Sequence, residues 1–102
     1  MAMLHTVNKS PFERNALNSC LRMARPRASV LLIEDGVYAA LQGTMVAGKV
    51  SKAMMALSFY ALGPDLEARG YNEDQVIDGV QVVDYSGFVD LVVAHDSVQA
   101  WL

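Results

Sequence analysis

Cysteine is nearly absent from this chain: Cys20 is the only one in 102 residues. A lone cysteine excludes an internal disulfide framework and every paired-cysteine zinc motif. Histidine is as scarce. His5 and His95 are too few, and too far apart in sequence, to imply a metal site, so no metal is expected. Charge is thin, at 19% of residues against 53% hydrophobic. The second half lacks cations almost entirely. Residues 53–102 hold Arg69 and eight Asp or Glu, a balance of −7, whereas residues 1–52 hold seven Lys or Arg and three acids, a balance of +4. An acidic half argues against a broad nucleic-acid face. No apolar run is long enough for a membrane-spanning helix. The opening "MAMLHTVNK" has no signal-peptide layout, and the expected location is the cytoplasm.

What is present is apolar surface on a short chain. The length fits one domain over residues 1–102. A chain this short buries a smaller fraction of its surface than a larger one, so the apolar excess implies burial against partner subunits or a dense core.

The pattern alternates strands and helices. "MLHTV" (Met3–Val7) reads as a strand. Ser10, Pro11 and Glu13 resemble a capping box with proline at the first helical position, which predicts a helix from Ser10 to about Ala24, broken before Pro26. "SVLLIEDG" is a continuous apolar run suited to a central parallel strand. "GVYAALQG" and "VAGKVSKAMMAL" read as helices, "LSFYALGPD" as a third strand, "DLEARG" as one or two helical turns capped by Gly70, and "GVQVVDY" as a fourth strand. "SGFVDLVVAHDSVQAWL" reads as mostly helical. The fold class is α/β, a three-layer α/β/α sandwich with a mostly parallel sheet.

In such folds sites lie beyond the carboxyl ends of the strands. Thr6, Asn8, Glu34, Asp35, Gly63 to Asp65, Asp84 and Tyr85 fall there. This rim is acidic and a poor cradle for phosphate, and its carboxylates suit helix capping, solvent or a facing partner. "GTMVAGK" (Gly43–Lys49) has phosphate-loop spacing, but Val50 stands where that motif needs Ser or Thr. Neither a nucleotide nor any other cofactor is expected. Cys20 lies near the middle of a helix face formed by Phe12, Ala16, Leu17, Leu21, Met23 and Ala24. Free cysteine there is commonly a small core residue. A reactive thiol needs exposure and a lowered pKa, and only Arg22 and Arg25 offer it cations. Both roles stay open from the residues alone.

"LHTV", "VLLIEDGVYAAL", "YALGPDLEARG", "VVDYSGFVDL" and the terminal "QAWL" resemble the DsrH/TusB family over nearly the whole chain. The resemblance implies the DsrE/DsrF/DsrH-like fold and a cytoplasmic subunit of a DsrEFH-type heterohexamer, built with DsrE-like and DsrF-like paralogues. Such a sulfurtransferase complex relays persulfide sulfur from a TusA-like donor to a DsrC- or TusE-like acceptor. It implies no direct contact with nucleic acid or membrane. "HTVNKSPFERN" and Cys20 look like the DsrH branch, which serves dissimilatory sulfur oxidation. The alternative branch, TusB, serves 2-thiolation of the tRNA wobble uridine, and its chains typically lack a cysteine there. The principal sulfur-carrying cysteine of these complexes belongs to a partner subunit. For Cys20 the resemblance therefore implies an auxiliary persulfide carrier at most, with a non-catalytic structural subunit as the other reading.

Overall fold

Five strands form one all-parallel sheet in a computed structural model that describes residues 3–102. They are β1 (Met3–Val7), β2 (Ser29–Leu32), β3 (Ser58–Leu62), β4 (Gln81–Val83) and β5 (Ser97–Trp101), in the spatial order β4-β3-β2-β1-β5. The helices are α1 (Ala16–Met23), α2 (Ala47–Ala53), α3 (Gly63–Ala68) and α4 (Tyr85–Ala94), with 3-10 segments at Glu34–Ala40 and Glu73–Gln75. The α/β class, the first four strands and the Gly70 turn (φ +83°) match the sequence reading. The continuous apolar run of β2 is indeed central, buried at all four positions between β1 and β3.

Side chains alternate across the sheet, and the two faces are dressed unequally. On one face Val7, Val30, Leu32, Phe59 and Ala61 meet Leu17 and Cys20 of α1, Val50 of α2, Leu66 of α3 and Val37 of the first 3-10 segment. Leu4, Leu31 and Leu62 are equally buried but stand outside that cluster, on the opposite face. A parallel connection is almost always right-handed. Three successive crossovers in one direction stack their helices on one face. The last connection, from β4 back past β1 to β5, brings α4 to the other.

Two expectations need correction. The segment after His95 is a strand, not helix: Ser97–Trp101 pairs with β1 along its whole length, from Met3↔Ser97 to Val7↔Trp101. His95 ends the helix there. Its Nδ1 donates to the Leu91 carbonyl at 2.6 Å, and its Nε2 accepts from the Ser29 hydroxyl at 2.9 Å. The first helix begins at Ala16 rather than Ser10. Ser10 Oγ accepts from the Phe12 N–H at 3.2 Å, and the Ser10 carbonyl accepts from Glu13 and Arg14, closing a separate turn before the helix.

Gly36 is where the first 3-10 segment crosses the end of β1. A Cβ built there would lie 2.0 Å from the Val7 carbonyl oxygen, a backbone atom that no rotamer change can move. That carbonyl already accepts from Ile33 N–H at 3.0 Å. Gly36→Ala is therefore expected to lower stability by about 3 kcal/mol or more. Urea melts of the two proteins check it. A loss below about 0.5 kcal/mol, the range of ordinary surface changes, would show the crossing is not tight.

Candidate functional site

Cys20 occupies the inner side of α1, directly against the sheet, with 0% of its surface exposed. Leu17, one turn earlier, is buried with it, while Phe12 and Met23 of the expected apolar face are exposed. Burial raises the thiol pKa from its ordinary 9.0 to about 12. A thiolate, the nucleophilic form, is then about one part in ten thousand at pH 8. Arg22 is exposed and does not offset this. The thiol fills space between α1 and the strands.

The strand-end rim is tied down by its own carboxylates. Asp65 Oδ2 accepts from the Glu34 N–H at 2.6 Å, which holds Glu34 at φ +49°. Arg69 Nη2 donates to Asp35 Oδ1 at 2.8 Å, and Arg69 Nη1 to the Asp65 carbonyl at 3.0 Å. Asp84 Oδ1 accepts from the Gly87 N–H at 2.8 Å, capping α4. Thr6 is buried, the Asn8 side-chain oxygen is buried without a partner among the described residues, and Tyr85 is exposed. A hollow of about 620 Å³ lies at this end between Gly63–Pro64, Tyr71, Val82 and Asp84, and its lining contains no Lys, Arg or His. Gly43–Lys49 follows a 3-10 segment rather than a strand, and Lys49 donates to Asn18 of α1. No group of three or more His, Cys, Asp or Glu among the described residues is placed to hold a metal ion.

The feature with the most unsatisfied chemistry is α4. Its ten residues, YSGFVDLVVA, include one charge, Asp90, and a helix apolar around its circumference is normally buried. Here none of its residues is buried. Phe88 and Leu91 are half-buried. Tyr85 (61% exposed), Val89 (61%), Val92 (38%) and Val93 (79%) form an outward stripe at helical spacing. Val98 and Leu102 are exposed as well. The sequence reading puts Phe88, Leu91 and Val92 on an apolar side but misses Tyr85, Val89 and Val93, although the near absence of charge from residues 85–94 was a signal for them.

Fold and surface together define a small parallel α/β chain with a buried thiol and one exposed apolar helix face. Comparisons with known proteins place this fold in a family. The family model described as DsrH like protein matches residues 9–98. Protein TusB of Photorhabdus laumondii is 40% identical over 99 residues, 97% of this chain and all of that protein. Protein TusB of Escherichia coli K12 is 36% identical over the same shares. The ychN protein of E. coli superposes with a TM-score of 0.82 over 98% of both chains at 17% identity. A Methanobacterium thermoautotrophicum protein of unknown function gives a TM-score of 0.73 at 19% identity, over 96% of this chain and 97% of that one. These structures show the fold alone. The chain belongs to the DsrH-like family.

The raised thiol pKa has a signed consequence. The unfolded thiol ionises near 9.0 and the folded one only near 12, so the unfolded state loses its proton first as pH rises. Stability is intact below pH 9 and falls between 9 and 12, by up to about 1.4 kcal/mol per pH unit. Urea midpoints of wild type and Cys20→Ala across pH 8 to 11 should diverge, with the alanine variant losing less. Parallel curves would show that the thiol is not desolvated.

Proposed function

We propose that this chain is the TusB-type subunit of a cytoplasmic sulfur relay leading to 2-thiouridine at the tRNA wobble position. It acts with DsrE-like and DsrF-like paralogues in a heterohexamer. The complex takes persulfide sulfur from a TusA-like donor and passes it to a DsrC- or TusE-like acceptor. Full-length relatives named TusB support this pathway better than the sulfur-oxidation pathway first expected from the resemblance. The cysteine that favoured the DsrH branch does not decide the matter. Cys20 packs a core, and packing is the same in either pathway.

Within the complex we assign Cys20 no obligatory chemistry, and at most slow or transient sulfur carriage. The persulfide-bearing cysteine sits on a partner subunit. The acidic second half and the absence of any helix long and apolar enough to cross a membrane, among the described residues, fit a subunit that meets protein rather than nucleic acid or lipid.

The observation that carries the proposal is the α4 stripe of Tyr85, Val89, Val92 and Val93. Exposed contiguous apolar surface of this kind marks a protein interface. An aspartate placed in it is tolerated by water but not by a dry interface, where an unpaired charge costs several kcal/mol. Val89→Asp with Val93→Asp should leave the chain folded by circular dichroism. The same pair should weaken assembly with the co-expressed paralogues by about a hundredfold or more. Light scattering reads the masses. A full hexamer from the double variant would remove α4 from the interface and with it this reading.

A further inference from the structure

The second unfinished place is the outer edge of β5, beside a hollow floored by a buried histidine. Among the described residues β5 pairs only with β1, so one whole side of its backbone has no partner strand there. Exposed edges are ordinarily blunted by lysine, proline, a bulge or shortness. The opposite edge, β4, is three residues long. The β5 sequence SVQAW has five residues and contains neither a charge nor a proline. Its first four residues are exposed.

Next to this edge, His5, Met3, Met23, Arg25, Gln99 and Trp101 line a hollow of about 350 Å³ between the end of α1 and the sheet. His5 is only 3% exposed. The Trp101 Nε1–H donates to His5 Nδ1 at 3.0 Å, and indole nitrogen can only donate. Nδ1 is thereby the acceptor, and the proton of the neutral ring sits on Nε2. Burial lowers the His5 pKa and keeps the ring neutral. Nε2–H has no hydrogen-bond partner among the described residues, in a side chain that lines the hollow. Arg25 and Asp96, both at the hollow, form no ion pair with each other. The rim charges balance, and the unpaired Nε2–H donor at the hollow is left to select an oxygen acceptor.

We infer that an extended segment of a partner subunit adds to β5 as a sixth strand and places a long, oxygen-ended side chain, glutamine or glutamate, over the hollow to accept from His5 Nε2. Strand addition supplies main-chain hydrogen bonds, and a pocket on one face supplies side-chain selection. Two strand spacings, about 10 Å, separate β1 from such a strand. That distance suits a long side chain leaning across Gln99. Trp101 has a double duty here: it is part of the edge strand, and it sets the tautomer that points a donor at the partner.

This inference rests on the proposal that the chain works as a subunit, and its test separates the two. Backbone amide exchange is measured by NMR on the full chain alone and in the assembled complex, with light scattering confirming assembly independently. On assembly, outward amides of Val98–Trp101 are expected to slow by at least about tenfold. Long-range proton–nitrogen spectra should show the His5 proton on Nε2 in both states, with its exchange slowed in the complex. A formed complex whose β5 amides exchange as in the free chain overturns strand addition. Protection already present in the free chain, together with a dimer mass, overturns it in favour of pairing between two copies. An unchanged Nε2 proton in a complex that does protect β5 removes the histidine from recognition. The Arg25→Gln and Asp96→Asn variants, at exposed positions, should leave β5 protection within about twofold, and a larger loss from either would move recognition from His5 to the rim charges.

Discussion

An all-parallel sheet allows no hairpins, so each of its four connections must cross a face, and the direction of travel decides which face is covered. From β1 to β4 the chain steps one way, and α1, α2, α3 and the 3-10 segment at Glu34–Ala40 all land on the same side. Only the return to β5 reverses, and only α4 lands opposite. One layer is thus overfilled and the other rests on ten residues. Everything distinctive about the molecule follows from that imbalance. The crowded layer encloses Cys20 and leaves no room at Gly36 for even a methyl group. The sparse layer leaves an apolar helix half in water.

The same imbalance separates chemistry from assembly. A thiol serving as nucleophile must be accessible and inclined to ionise, and the α1 side of the sheet denies both. The acidic strand ends, where an α/β fold usually keeps its reactive groups, are occupied by internal bonds: Asp65 to Glu34, Asp35 to Arg69, Asp84 to the start of α4. What is left unpaired is apolar side-chain surface on α4 and backbone on the β5 edge. Those are the materials of protein–protein contact.

Much of this was legible in the sequence. The apolar run 30–33, Gly70 after a short helical turn and the spacing of Leu17 and Cys20 are local signals, and the structure follows them, though Phe12 and Met23 of the same expected face are exposed. The misreadings came from non-local causes. Ser97–Trp101 alternates in the manner of a strand, but it follows an apolar helix with no glycine or proline between, and β1 is what makes it a strand. Ser10 caps a turn as a helix cap would, its hydroxyl accepting from Phe12 and its carbonyl from Glu13 and Arg14, but the turn does not run on into the helix, which starts at Ala16. The contact between Trp101 and His5 joins positions 96 apart, and no local pattern announces it. The DsrH/TusB resemblance carried the family correctly but leaned on HTVNKSPFERN and Cys20 to choose the DsrH branch, whereas the full-length relatives named TusB favour the other.

The account depends most on the claim that this chain supports a sulfur relay without carrying the sulfur. The direct measurement loads the assembled complex from its persulfide donor, with wild-type chain or Cys20→Ala, and reads subunit masses and delivery to the acceptor protein. Alanine avoids the buried hydroxyl that serine would introduce. The account predicts that sulfur appears on the partner subunit in both complexes and that delivery with Cys20→Ala stays within about twofold of wild type. Loss of delivery from a correctly assembled Cys20→Ala hexamer would contradict it and make the buried thiol an obligatory station.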